Sequence, residues 1–208
     1  MRKLVIASVT FSVLALAGTA SAEGFELGAR LGYGLPMGDA VKDAKLSDSV
    51  SGQIPIWLDV GYRIDESLFV GAYGQYGITM VKDCPDGVDC SASDIRFGVQ
   101  GHYHFMPGES FDVWAGLGIG YEMLSSSAKA GGHEASSTLS GFEFANLQVG
   151  GDFQVAEGMG VGPFVSFSLG QYGKVKAEVP GAGTSDGDIE DKGMHQWLLL
   201  GVRGSFQL

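Results

Sequence analysis

The sequence predicts an all-β protein: a closed, eight-stranded, antiparallel up-and-down transmembrane β-barrel over residues 23–208, preceded by a cleaved signal peptide over residues 1–22. Three observations carry this expectation. Long segments alternate apolar and polar residues with period two, which sends successive side chains of a strand to opposite faces. The connections between these segments are short and long in turn. Finally, the mature chain has no apolar run long enough for a membrane helix, since even Trp197–Val202 is interrupted by Gly201 and followed by Arg203. Backbone in hydrocarbon must be fully hydrogen-bonded, so strands that cross a membrane have to close on themselves.

The chain opens with Arg2 and Lys3, continues mostly apolar from Leu4 to Ala17, and reaches Ala20-Ser21-Ala22, a pattern suited to cleavage before Glu23. Its apolar stretch is shorter than the roughly 20 residues of a membrane anchor. Composition points to strand and turn, because 34 Gly, 11% aromatic and only 18% charged residues leave little material for helices. Cleavage lowers the 13 basic residues to 11 against 24 acidic ones, a mature charge of −13 that argues against nucleic acid as a partner.

Strands are expected at 24–34, 53–64, 67–79, 93–106, 111–124, 142–155, 160–173 and 194–208, each about 11 to 15 residues. A tilted membrane strand needs about 9 to 11. In the first, Glu26, Gly28, Arg30 and Gly32 form the inward face; in the second, Trp57, Asp59, Gly61 and Arg63 do. The third leaves its faces open. The fourth sets Ile95, Phe97, Val99, Tyr103 and Phe105 against Asp94, Arg96, Gln100, His102 and His104. In the fifth, Val113, Leu117, Ile119, Tyr121 and Met123 oppose Asp112, Trp114, Glu122 and three glycines. The sixth carries an expected β-bulge around Phe142–Ala145, where the alternation changes phase.

Tight turns are expected at 64–66, 107–110 and 156–159, and long polar loops at 35–52, 80–92, 125–141 and 174–193. Membrane barrels have short periplasmic turns and long external loops, which places both termini on the periplasmic side. A soluble sandwich or lipocalin-like barrel would bury the apolar face. Here the apolar face carries aromatics at the strand ends, Phe25, Tyr62, Tyr103, Phe105 and Phe206 at one rim and Tyr33 and Tyr121 at the other, as interfacial girdles do.

At the C-terminus, Leu198, Leu200, Val202, Gly204, Phe206 and Leu208 alternate to the last residue. This resembles the terminal strand read by the outer-membrane assembly machinery of Gram-negative bacteria. In architecture, Glu23–Leu208 is similar to the small eight-stranded family that includes the transmembrane domain of outer-membrane protein A. The chain departs from that family in ending on Leu208 rather than an aromatic, and in carrying no peptidoglycan-binding domain after the barrel. The resemblance implies a location in the cell outer membrane. The partners it implies are outer-membrane lipids, lipopolysaccharide, periplasmic chaperones and the assembly machinery.

Cys84 and Cys90 flank Pro85 and Gly87 in the second long loop and, in an exported protein, read as a disulfide rather than a metal or redox pair. Closing so short a loop contributes roughly 2 kcal/mol in the chain-entropy picture, mainly by restraining the loop tip. Asp186, Asp188 and Glu190 resemble a fragment of a calcium loop, but the twelve-residue pattern is absent and a solvated acidic loop is expected. A lipid A-modifying enzyme would need a nucleophile or base at the external rim. Of the four histidines only His195 is placed there, with no spacing that singles out a nucleophile. No catalytic residue, metal ligand or cofactor site is therefore expected.

All seven mature lysines (Lys42, Lys45, Lys82, Lys129, Lys174, Lys176 and Lys192) fall in expected loops, and all four mature arginines in strands. A lipid-facing Arg near mid-membrane costs about 2 to 4 kcal/mol, so the arginines should point inward. They are expected in a lumen charge network of Glu26, Arg30, Asp59, Arg63, Arg96, Asp112, Glu122, Asp152 and Arg203. For the first two strands, a register in which partner numbers sum to 89 pairs Arg30 with Asp59 and Glu26 with Arg63, opposes Gly32 to Trp57 and sets Leu27 against Tyr62. Trp57 and Trp114 inside a narrow barrel argue for a filled lumen. The expected function is a structural or surface-interaction role carried by the external loops of a monomer. A small-molecule channel is the alternative, ahead of a lipid A-modifying enzyme.

Overall fold

A computed structural model describes residues 23–179, 181 and 183–208; the signal peptide expected at 1–22 lies outside the described residues. The chain runs β1 (Gly24–Val41), β2 (Ala44–Lys45), α1 (Leu46–Ser49), β3 (Val50–Arg63), β4 (Leu68–Val81), β5 (Asp89–His104), β6 (Phe111–Ala130), β7 (His133–Ala156), β8 (Met159–Val179), β9 (Gly183–Asp188) and β10 (His195–Gln207). Eight of these, β1, β3 to β8 and β10, pair antiparallel with their sequence neighbours. The ring closes where β10 pairs with both β8 and β1. Among the described residues no helix is long and apolar enough to cross a membrane.

Alternation decides the faces. Leu31, Leu58, Val99, Leu117, Leu147 and Val202 point outward and are exposed, while Glu26, Arg30, Asp59, Arg96, Gln100 and Arg203 point into the ring and are buried. An exposed apolar belt around a polar interior inverts the soluble arrangement and is stable only with lipid outside. Aromatic pairs edge the belt. Phe25–Tyr62 (5.5 Å), Tyr103–Phe105 (5.1 Å) and Phe111–Phe153 (4.5 Å) mark the end with short turns, and Tyr121–Phe142 (5.4 Å) the other. The short turns are tight for local reasons. The Asp65 carboxylate accepts the Ser67 and Leu68 N–H groups, and Gly158 takes φ +67°.

The expected bulge is present: Glu143 pairs with Gly170 and Ala145 with Leu169, so Phe144 is an extra residue and the next inward side chain is Asn146.

Two expectations need correction. The segments 125–141 and 174–193 are not mainly loops, and neither is 35–52, which holds the end of β1, β2, α1 and the start of β3. Strands β6 and β7 continue to a two-residue turn at Gly131-Gly132, both at positive φ, and β8 continues to pair with β9. These segments look polar because their alternation reverses sense. Ser125, Ser127, Ser136, Thr138 and Lys176 face out, whereas Leu124, Ala128, Ala135, Leu139 and Val175 face in. Above the lipid the outward face meets water, so hydroxyls and charges replace leucines there.

The register of β1 and β3 also differs from the expected one. Partner numbers sum to 87, not 89: Gly28 faces Asp59, Arg30 faces Trp57, Glu26 faces Gly61, Leu27 faces Val60 and Leu31 faces Ile56. An extended arginine reaches a carboxylate two residues along the neighbouring strand, so both ion pairs form diagonally and charge does not select between these registers. The observed register needs a glycine at position 28, since a Cβ there would collide with the Asp59 carboxylate.

Candidate functional site

The lumen is built in tiers. Nearest the short turns, Arg203 donates to Glu26 Oε1 (2.6 Å) and to Asp152 Oδ2 (2.5 Å), and Arg63 Nε donates to Glu26 Oε2 (2.9 Å). His104 Nδ1 lies 2.6 Å from Asp112, and its Nε2 lies 3.2 Å from Arg63. In the middle, Arg30 donates to Asp59 (2.8 Å) and Gln148 (2.7 Å); Gln100 bridges Asp59 and Gln148 at 2.7 and 3.0 Å. The Arg30 guanidinium lies 4.6 Å from the Trp57 ring centroid and 5.3 Å from those of Trp114 and Phe164, so the cation rests among aromatic rings as well as beside its anion.

The upper tier centres on Glu122. One carboxylate oxygen accepts from Tyr172 (2.6 Å) and Trp197 (3.1 Å) with Arg96 at 3.6 Å, and the other lies 2.9 Å from His195 Nε2. Arg96 also donates to Asp94 (2.8 Å) and Ser168 (3.0 Å), and the His195 and Tyr172 rings stack at 4.0 Å. Above it lies an apolar lid: Leu46 of α1, Val50, Leu124 and Ile189 pack on Tyr73, Tyr172, Trp197 and Leu199. The opposite mouth is an open vestibule of about 610 Å³ bordered by Glu26, Arg63, His104, Asp112 and Asp152.

All nine residues expected in the network thus lie in the lumen, though not as one cluster. Glu26, Arg63, Asp112, Asp152 and Arg203 form the lower tier, Arg30 and Asp59 the middle, Arg96 and Glu122 the upper. Asp94, Gln148 and Tyr172 were not expected among them. Asp94 was legible, since it shares a strand face with Arg96 two residues on. Glu143 was hidden by the bulge, which shifts the phase that would have placed it.

Outside the lumen, the disulfide Cys84–Cys90 ties the β4–β5 connection. Asp186 and Asp188 stand on β9 opposite Lys176 and Lys174 rather than around a common point, and among the described residues no group of side chains is arranged to hold a metal ion.

No protein-family model and no curated protein matches the chain. Solved structures do. A major outer membrane protein from Thermus thermophilus superposes with a TM-score of 0.56 at 9% identity, over 88% of this chain and 99% of that one. This chain has the fold of a small outer-membrane β-barrel. Similar too are the outer membrane protein OprG from Pseudomonas aeruginosa (TM-score 0.52, 15% identity, 89% and 97% of the two chains) and the outer membrane protein AlkL in lipid bilayers (0.51, 12%, 100% and 98%). At these identities the likeness is one of fold. This chain's own residues supply three tiers of paired charge, a lid at one mouth, and a sheet that continues beyond the belt.

Proposed function

We propose that this barrel is a non-catalytic, non-conducting outer-membrane protein, exported by residues 1–22 and folded in place as a monomer, whose working part is the sheet and connections beyond the membrane. One observation carries the reading: the lumen is closed twice, by charge tiers that span the ring and by the apolar lid above them. A solute would have to break buried ion pairs, each costing several kcal/mol. The polar cluster nearest the outside, Glu122 with His195 and Tyr172, supports no catalysis at the surface, because His195 is 1% exposed and lies beneath the lid.

Planar-bilayer recording with purified barrel tests the closure: a quiet membrane is expected, and discrete conductance steps overturn it. Lipid A mass spectra from cells with and without the protein test the absence of catalysis, and a changed spectrum would refute it. N-terminal sequencing of protein from the outer-membrane fraction should begin at Glu23.

A second reading, passage of small molecules through the wall, has one observation in its favour. The β1–β3 ladder runs to Leu31–Ile56 and resumes at Gly34–Gln53, and the intervening part of β3 contains Pro55, which has no N–H to donate.

A further inference from the structure

We propose that the outward face of the external sheet, at the concavity between Tyr76 and Lys176, binds the sugar headgroup of the glycolipid that surrounds the barrel in the outer leaflet. This names a partner for the working part assigned above and rests on that reading only for the barrel's orientation.

The face is defined by register. Ser91, Ser127, Ser136 and Glu178 form one row across β5 to β8, and Ser93, Ser125, Thr138 and Lys176 form the row below it. Within the rows Ser91 and Ser127 hydroxyls lie 2.9 Å apart, and those of Ser125 and Thr138 3.0 Å. Such a pair consumes one donor and one acceptor, leaving a second O–H and further lone pairs for a ligand. Together with the half-exposed ring of Tyr76 the rows line a concavity of about 400 Å³ whose charged members are Lys176 and Glu178, 2.7 Å apart. An aromatic face, a field of small hydroxyls and one ammonium–carboxylate pair are groups that match a sugar, with its apolar C–H face and ring of hydroxyls. A site for phosphate or a polyanion would instead gather several cations.

Position selects the source of that sugar. The face looks sideways, in the direction of the lipid-facing residues below it, not up into the medium. Ser125 and Ser127 lie four and six residues beyond the girdle residue Tyr121. That is roughly 13 to 20 Å along the strand and, at a tilt of about 40°, roughly 10 to 15 Å above the girdle. Phospholipid headgroups fill only about 5 to 8 Å beyond the hydrocarbon on each side. At the height of the hydroxyl rows the lateral neighbour is therefore a taller headgroup, one made of sugars.

The test uses the folded full barrel in detergent, with deacylated lipopolysaccharide oligosaccharide as probe, inorganic phosphate as a second probe, and binding read by titration calorimetry. Tyr76→Ala and the double variant Ser125→Val, Thr138→Val remove the platform and the hydroxyls, and valine keeps the strand propensity so that the sheet still folds. Lys82→Gln, exposed in another connection, serves as control. Saturable oligosaccharide binding is expected, weakened at least about tenfold in both variants and unchanged in the control. Gel mobility without heating should stay that of the folded barrel throughout.

Absence of binding, equal binding by the variants, or competition by inorganic phosphate would each overturn the proposal, as would sedimentation showing that this face joins two copies. Conductance has no bearing on it. A conducting barrel that binds sugar refutes the closed-lumen reading alone, and a silent one that does not bind refutes this proposal alone.

Discussion

Arg30→Met separates buried charge from buried volume. Methionine approximates the length of the arginine stem and adapts to its pocket, so packing against Trp57 and Phe164 is largely retained while the cation is lost. What remains is Asp59, fully buried, with the Gln100 bond at 2.7 Å and Arg203 Nε at 3.9 Å. Removing one partner of a buried pair costs about 3 to 5 kcal/mol. Arg203 stays close enough to screen the orphaned carboxylate, which puts the loss near the lower end, about 3 kcal/mol or roughly two orders of magnitude in the unfolding equilibrium.

Adding Asp59→Asn to Arg30→Met removes the orphaned charge, so the double variant should recover about 2 kcal/mol relative to the sum of the two singles. Urea unfolding in lipid vesicles followed by tryptophan emission measures this, with Trp57 and Trp114 adjoining the site as reporters. A single variant within about 1 kcal/mol of the parent, or a double variant equal to the sum, would show that the ion pair does not hold the middle tier.

Gly28→Val should destabilise by about 1 to 3 kcal/mol in the same assay through collision with Asp59, and an unchanged midpoint would contradict the register in which the two face each other. Reducing Cys84–Cys90 should speed hydrogen exchange at Asp86–Val88 while leaving the barrel's unfolding midpoint in place; free thiols in protein recovered from the membrane would refute the bond. Replacing Leu46 and Ile189 together by Asp should open the lid, letting acrylamide quench Trp197 from the external side with the lower tiers still shut. Unaltered quenching would mean that these residues seal nothing.

Much of the molecule was legible before its structure, for a physical reason. In hydrocarbon every outward position must be apolar, so the alternation is strict over strands such as 95–105 and 113–123, and their faces could be assigned outright. Beyond the lipid that constraint lapses. Segments 125–141 and 174–188 look like loops because Leu124-Ser-Ser-Ser-Ala128 carries no alternation and serine and alanine differ little in polarity, although Val175-Lys-Ala-Glu-Val179 still alternates. The inward arginines followed from composition and depth alone. Their register did not, because a side chain as long as arginine spans two residues of a neighbouring strand, and the observed pairing sets Asp59 against the smallest residue, Gly28. The lid was illegible for a further reason: Leu46 and Val50 come from one polar stretch and Ile189 from another, and they converge only once the ring has closed.

The external sheet, β5 to β9, does not close as the ring below it does and therefore has two open margins, Asp89–Ser91 of β5 and β9, where among the described residues only one neighbour is paired. Unpaired strand margins template the addition of further strands. Here each margin carries carboxylates: Asp89 on one side, Asp186 and Asp188 on the other. Two neighbouring barrels that met margin to margin would bring like charges together before any backbone bond could form, whichever margins were involved. In a crowded membrane plane, where copies diffuse in two dimensions with their sheets at the same height, that repulsion keeps each sheet from growing into its neighbour.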